Sequence, residues 1–156
     1  GGVRIGTVYA ERLNLPLAVC DKRRWADNED PEIRAVIGIE GLQGREVAIF
    51  DDEILTGGTM CRAISALKDK FGLPVSYISC VHPVFGNGAA ERLLSTGVKR
   101  IVCTDTLPPP EANDRVRVVS VAPLLAAAIN NIHTNRSVTS IFREQDSLFG
   151  AQSEPS

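Results

Sequence analysis

The residues most suited to chemistry in this 156-residue sequence lie together between positions 47 and 59. Four apolar residues are followed by the adjacent carboxylates Asp51 and Asp52 and, after three spacer residues, by the turn Thr56-Gly57-Gly58-Thr59. Glycines allow a sharp turn and a close approach to an anion, and the N–H groups at a helix start favour a phosphate. Adjacent carboxylates suit sugar hydroxyls, directly or through Mg²⁺. The segment therefore predicts a site for a phosphorylated sugar.

A simpler interpretation of the same segment is a strand, an acidic turn and an ordinary capped helix. Thr59 is a favourable N-cap residue, and the two glycines would then only form the turn. Either half of the segment alone favours this simpler structure. The whole combination of apolar run, carboxylate pair, three spacers and T-G-G-T is much more specific, so we interpret it as a ligand-binding loop.

This segment resembles the phosphoribosyl-binding motif shared by type I phosphoribosyltransferases and ribose-phosphate pyrophosphokinases. In that family the two acids hold the 2- and 3-hydroxyls of ribose, and the T-G-G-T turn surrounds the 5-phosphate. The resemblance also implies a Mg²⁺ ion that contacts Asp51 and Asp52 through water or substrate. It implies that ribose 5-phosphate binds to Asp51, Asp52, Thr56, Gly57, Gly58 and Thr59.

Segments on both sides of the loop are similar to the C-terminal half of the pyrophosphokinases. The similarity includes D-K-R-R at 21–24, T-D-T-L-P at 104–108 and the stretch at 119–126, and it extends over residues 1–142. It implies an enzyme of nucleotide biosynthesis that transfers diphosphate from ATP to ribose 5-phosphate, giving phosphoribosyl pyrophosphate and AMP. It also implies a homo-oligomer, commonly a hexamer. Because the other half of these enzymes supplies much of the ATP site, we expect this chain alone to be inactive.

Lys22 and Arg24 stand where the family places its catalytic cations, on a loop that closes over the transferring phosphates. Cations there would stabilise the charge that develops during transfer. A run such as Lys22-Arg23-Arg24 is otherwise most often a solvated turn, so the catalytic role depends on the rest of the resemblance. His82 lies in a stretch similar to a T-H-P pattern of the family, for which a structural or subunit contact is as consistent as a chemical role.

Leu55 departs from the family pattern, because the pyrophosphokinases usually have a third acid at this position. We expect a leucine there to weaken the handling of substrate or metal. The departure favours a second hypothesis, a non-catalytic regulatory or associated subunit that binds nucleotide or phosphate. A third hypothesis is a phosphoribosyltransferase that uses the same loop, although no segment is an obvious hood over a base.

Composition limits the class of protein. With 44% hydrophobic residues, the chain is long enough for one globular domain with a buried core. The formal net charge of -2 argues against nucleic acid as the main partner, and no apolar run reaches the roughly 20 residues that span a membrane. The cysteines match no zinc pattern, and three of the four lie in apolar stretches where a free cysteine behaves as a small hydrophobic residue. We therefore expect buried reduced thiols rather than disulfides, and a cytoplasmic protein; the cysteines are Cys20, Cys61, Cys80 and Cys103.

Short β-branched runs alternate with helical patterns, which predicts an α/β fold with a mainly parallel sheet. The resemblance implies the three-layer sandwich of type I phosphoribosyltransferases. Strands are predicted at 17–20, 46–50, 75–81, 100–104 and 116–119, and helices at 5–13, 59–71, 87–95 and 121–133. We expect one domain over residues 1–142, a flexible tail at 143–156 and a mobile loop at 23–31.

Overall fold

The computed structural model describes residues 2–23, 32–108 and 113–141. The described helices are α1 (Gly2–Leu13), α2 (Gly58–Phe71), α3 (Ala89–Ser95) and α4 (Ala122–His133). The described strands are β1 (Val19–Arg23), β2 (Glu32–Ile37), β3 (Val47–Ile54), β4 (Val75–Pro83), β5 (Arg100–Thr104) and β6 (Val116–Val119), with a 3-10 helix at Ile39–Leu42. The chain divides into two compact units, residues 1–119 and residues 120–156.

The first unit is built on a parallel sheet in which β3, β4, β5 and β6 are neighbours in that order. Helix α2 connects β3 to β4, and α3 connects β4 to β5. Because all four strands point the same way, their carboxyl ends lie at one edge, where ligands bind in open α/β sheets. β1 and β2 form a separate antiparallel pair with an irregular register between Asp21 and Lys22.

Helices cover both faces of the sheet at β3. Tyr9 of α1 stacks on Phe50, with ring centroids 4.7 Å apart and an angle of 17° between the rings. The neighbouring Ile49 points to the opposite face because side chains alternate along a strand, and it packs against the hydrophobic core. Helix α2 contributes Met60, Ala63, Ile64 and Leu67 to that core. The unit is therefore a three-layer α/β sandwich, as predicted.

Most predicted elements agree with the structure. β5 and β6 have the predicted bounds, and each helix begins and ends within about three residues of its predicted bounds. β1 was expected at 17–20 and lies at Val19–Arg23. β3 continues beyond Phe50, since pairing with β4 places Glu53 opposite His82.

β2 is a strand that the sequence pattern does not predict. Charged residues at 32 and 34 interrupt its apolar residues, so no continuous β-branched run marks it. The strand forms because it pairs with β1, where Val36 lies opposite Cys20. Ile33 and Val36 are buried, which ties this pair to the core.

Two expectations about chain segments fall outside the described residues. One is the predicted mobile loop, of which residues 24–31 are not described, and the other is the predicted tail at 143–156. Arg23, the first residue of the predicted loop, is instead the last residue of β1. The domain boundary at 142 stays a prediction.

In the second unit, the Asn131 side chain donates hydrogen bonds to Ser137 O at 3.0 Å and to Ser140 Oγ at 3.1 Å, which joins α4 to the segment after it.

The cysteines have the predicted form, since all four are free thiols. Cys80 and Cys103 are buried, and Cys20 and Cys61 are half-buried. Within the described ranges, no helix combines the length and the apolar character that a membrane crossing requires.

Candidate functional site

The acidic pair lies on β3 close to its carboxyl end, with Asp51 half-buried and Asp52 exposed. The Asp52 N–H donates a hydrogen bond to Asp51 Oδ1 at 3.1 Å, and the Glu53 N–H donates to Asp52 Oδ1 at the same distance. These bonds turn each carboxyl group towards the following peptide. The structure therefore places both carboxyl groups at the carboxyl edge of the sheet, where the sequence predicts them.

Asp52 is ionised more readily than an ordinary aspartate. Its hydrogen bond with the Asp51 carboxyl group is the largest cause that lowers the pKa of Asp52, followed by the backbone N–H groups of Asp52 and Glu53. Burial acts in the opposite direction but is outweighed. Asp52 is consequently a carboxylate at neutral pH and can accept hydrogen bonds from sugar hydroxyls or bind a hard cation.

Gly57 holds the turn that follows the acidic pair. It is the N-cap residue of α2, it is buried, and its φ of 74° lies in the left-handed region. A β-carbon on Gly57 would lie 3.3 Å from Leu93 Cγ and 3.4 Å from Ala89 Cβ. The backbone conformation and the close packing against α3 both require glycine here.

Gly58 and the two threonines surround the start of α2. A β-carbon on Gly58 would have ordinary contacts, 3.8 Å from Arg62 Nη1 and 3.9 Å from Thr56 Oγ1, so packing alone does not require glycine there. Thr56 and Thr59 are exposed, and Arg62 Nη2 donates to Thr59 Oγ1 at 3.5 Å. The loop and the start of α2 therefore combine small residues, hydroxyl groups and the guanidinium of Arg62.

The simpler interpretation, in which Thr59 caps an ordinary helix, is wrong in one respect. The N-cap position belongs to Gly57, which has no side chain to satisfy the N–H groups of the first turn. Those groups carry the positive end of the helix dipole. The start of α2 is thus suited to an anion.

Arg92 of α3 is a residue of this site that the sequence pattern did not indicate. Its Nη1 donates to Thr56 O at 2.6 Å, and its Nη2 donates to Asn87 O at 2.9 Å. Thirty-six residues separate Arg92 from Thr56. A contact at that separation depends on the packing of α3 beside the loop, and no local signal in the sequence could reveal it.

His82 lies near the end of β4, opposite Glu53 in the parallel register. Its Nδ1 is 2.9 Å from Thr106 Oγ1, and the Thr106 hydroxyl also donates to Val81 O at 3.0 Å. His82 thus joins the ends of β4 and β5, which agrees with the structural role considered for it.

Of the two predicted catalytic cations, Lys22 lies in a strand rather than on the expected loop. Lys22 lies on β1, where it pairs with Ile33 of β2, but its side chain is not described. Arg24 lies outside the described residues. Their catalytic role stays a prediction.

Leu55, at the position of the family's third acid, is 53% exposed at the mouth of the loop.

A cavity of about 920 Å³ lies beside β3, lined by residues of both α1 and α2. Its lining is apolar apart from Arg45, Glu46 and Asp51, and none of the residues from Thr56 to Thr59 contributes to it. A sugar phosphate needs many polar donors, so we place the candidate phosphate site at the loop rather than in this cavity.

The chain is similar to a known protein family and to curated proteins. Residues 26–143 match the phosphoribosyl synthetase-associated domain. Two relatives, both named ribose-phosphate pyrophosphokinase, come from Caldanaerobacter subterraneus subsp. tengcongensis, with 40% identity over 144 residues, and from Bordetella pertussis, with 39% identity over 147 residues. The alignments cover 91% and 92% of this chain but 44% and 46% of those relatives. The chain therefore spans somewhat less than half the length of the curated relatives it matches.

A solved structure, that of phosphoribosylpyrophosphate synthetase from Mycobacterium smegmatis, has the same fold. Its TM-score is 0.69 and its identity is 31%, over 85% of this chain and 42% of that chain. The predicted resemblance to the pyrophosphokinases and to their type I phosphoribosyltransferase-like fold is confirmed by these relatives.

Proposed function

Because the chain belongs to the phosphoribosyl synthetase-associated domain family, we propose that it is part of a ribose-phosphate diphosphokinase. That enzyme transfers diphosphate from ATP to the anomeric hydroxyl of ribose 5-phosphate and produces phosphoribosyl pyrophosphate and AMP. One observation carries the proposal: the ionised Asp52 and the glycine-started helix α2 lie at the two ends of a single loop at the carboxyl edge of the sheet.

The loop supplies the two kinds of group that ribose 5-phosphate needs. Asp51 and Asp52 are acceptors for the 2- and 3-hydroxyls of ribose. The 5-phosphate binds at the turn, where the N–H groups of α2 and the hydroxyls of Thr56 and Thr59 donate to it. Arg62, which lies beside Thr59, adds a cation at the same end of the helix.

The donor set also fits Mg²⁺, which takes oxygen ligands and is often bound by one or two carboxylates together with substrate phosphates. Asp51 and Asp52 provide two adjacent carboxyl groups. Among the described residues no cluster of three or more metal-ligating side chains occurs, so substrate and water would complete the coordination. The ion would neutralise charge on the transferring diphosphate.

The second substrate is ATP, and Lys22 and Arg24 contact its transferring phosphates as catalytic cations. Transfer of a diphosphoryl group depends mainly on positioning and charge stabilisation, and two cations beside the transferring phosphates would provide both. We further propose a cytoplasmic homo-oligomer, a hexamer by family resemblance, with neither nucleic acid nor membrane as a partner. The net charge of -2 argues against nucleic acid as a partner, and the four free thiols support the cytoplasmic location. The homo-oligomer rests on the family resemblance alone.

The test is calorimetric titration of ribose 5-phosphate, with and without Mg²⁺, into the natural protein that contains this chain, followed by an assay of AMP release from ATP. Binding with AMP release is the expected result. Absence of ribose 5-phosphate binding under both conditions would overturn the proposal.

Leu55 favours a second candidate function, a non-catalytic subunit associated with an active pyrophosphokinase. A leucine that is 53% exposed beside the acidic pair cannot bind a cation or accept a hydrogen bond from sugar. Binding of ribose 5-phosphate without AMP release would support this function. In that case, Leu55→Asp should tighten Mg²⁺ binding, and Leu55→Asn would serve as the uncharged control.

A further inference from the structure

Three consecutive carbonyl groups of the loop accept hydrogen bonds from the segment that follows β4. Ile54 O accepts from the Phe85 N–H at 3.1 Å, and Leu55 O accepts from the Gly86 N–H at 2.9 Å. Thr56 O accepts from Arg92 Nη1 at 2.6 Å. The first two donors are backbone groups, so Arg92 provides the side-chain bond in this series.

These bonds fix the direction of the neighbouring N–H groups. No cis peptide bond occurs among the described residues, and in a planar trans peptide the N–H points opposite to the C=O. The N–H groups of Leu55, Thr56 and Gly57 are therefore directed away from the segment that holds the carbonyl groups. Successive N–H groups that point to one side form an anion-binding concavity.

Arg92 also holds the donor segment itself. Its Nη2 bonds to Asn87 O, and both Phe85 and Asn87 have positive φ angles, 44° and 55°. Such conformations are uncommon for residues other than glycine and persist where surrounding contacts hold them. The planar guanidinium can reach Thr56 and Asn87 at once, a geometry that a lysine ammonium does not reproduce.

We propose that Arg92 is a positioning residue for the 5-phosphate, acting through the Thr56 carbonyl group rather than by touching the ligand. The inference rests on the proposed function, since the anion at this turn is taken to be the phosphate of ribose 5-phosphate. Arg92 orients the Gly57 N–H of the peptide that joins Thr56 to Gly57. Without the Arg92 side chain, that peptide can rotate, and the N–H groups of Leu55, Thr56 and Gly57 no longer point to one side in the ligand-free protein.

The experiment compares Arg92→Gln and Arg92→Lys with Arg100→Gln in the natural protein that contains this chain. Arg100 is an exposed arginine at the start of β5, at the opposite edge of the sheet, so its variant controls for the loss of one positive charge. Affinities for ribose 5-phosphate, inorganic phosphate and ATP are measured by calorimetry, and Tm by scanning calorimetry.

For Arg92→Gln we expect affinity for ribose 5-phosphate and inorganic phosphate to fall about 10- to 100-fold, as for loss of a hydrogen bond from a charged group. Affinity for ATP and Tm should stay close to those of the unsubstituted protein. Arg92→Lys should recover part of the loss, and Arg100→Gln should show none.

Unchanged phosphate affinity in Arg92→Gln would overturn the inference, and so would a parallel loss of Tm and ATP affinity in both Arg92 variants. The proposed function is tested separately by the unsubstituted protein. If that protein binds inorganic phosphate but not ribose 5-phosphate, the proposed function fails while the phosphate data still decide the role of Arg92. If it binds neither, both proposals fail.

Discussion

Gly57 lies so close to Leu93 of α3 that a β-carbon on the glycine would be 3.3 Å from Leu93 Cγ. The adjacent Gly58 has no such neighbour, since its closest contact would be Arg62 Nη1 at 3.8 Å. The two glycines of the turn therefore have different functions. Gly57 is required by the fold, whereas Gly58 leaves space at the helix start.

Gly57→Ala should destabilise the protein. Alanine in the left-handed conformation costs about 1–2 kcal/mol, and the contact with Leu93 adds to this loss because that side chain is fully buried. Urea unfolding measures the free energy of unfolding, and Gly58→Ala is the matched control with little expected change. Equal stability of the two variants would contradict the distinction.

Gly58→Val should keep the fold and lose the ligand. The β-carbon of the new side chain would meet only Arg62 and Thr56 at ordinary distances. We expect the two methyl groups of valine to take up the space in front of the first-turn N–H groups. We expect affinity for ribose 5-phosphate to fall at least about tenfold, which corresponds to about 1.4 kcal/mol. Ser65→Val, at an exposed position of the same helix, is the control. Calorimetry that finds the same affinity in both variants would remove Gly58 from the site.

The extent to which the sequence predicts this structure depends on how local each signal is. β5 and the core face of α2 follow from short apolar patterns, and the loop is visible because its residue types are adjacent. β2 is not visible, since its strand conformation comes from pairing with β1. The contact between Arg92 and Thr56 is not visible either, because it joins elements that only the tertiary fold brings together.

Lys22→Ala and Arg24→Ala should slow turnover without weakening ribose 5-phosphate binding. Cations that act on the transferring phosphates stabilise the transition state more than the bound sugar, so kcat should fall about 100-fold while the sugar affinity is kept. Lys68→Ala, which removes an exposed cation from the last turn of α2, is the control for charge. If turnover matched that of the control, Lys22 and Arg24 would have no catalytic role.

Asp52 should titrate below its ordinary pKa of 3.8, because its hydrogen bond with Asp51 is the largest cause that lowers the pKa of Asp52. Ionised Asp52 therefore stabilises the folded protein at pH values above the pKa that Asp52 has in the unfolded chain. This stabilisation is lost as the pH falls through the lower pKa that Asp52 has in the folded protein. Carboxyl ¹³C NMR measures the midpoint directly. Asp51→Ala removes the main cause and should raise the midpoint towards 3.8. A midpoint that does not move in this variant would show that the backbone N–H groups alone lower the pKa of Asp52.

Cys80 should make the protein less stable in alkali. Burial, followed by the nearby Cys103 and Asp51, raises the pKa of the Cys80 thiol from 9.0 to about 12. Between these two values the unfolded chain loses the thiol proton while the folded chain keeps it, so the unfolded state binds fewer protons and stability falls as pH rises. Cys80→Ala removes the ionising group and should flatten the fall in unfolding free energy between about pH 9 and pH 11. Arg100→Gln, which leaves the thiol in place, should keep the slope of the unsubstituted protein. An identical slope in Cys80→Ala and in the unsubstituted protein would mean that other groups cause the alkaline loss.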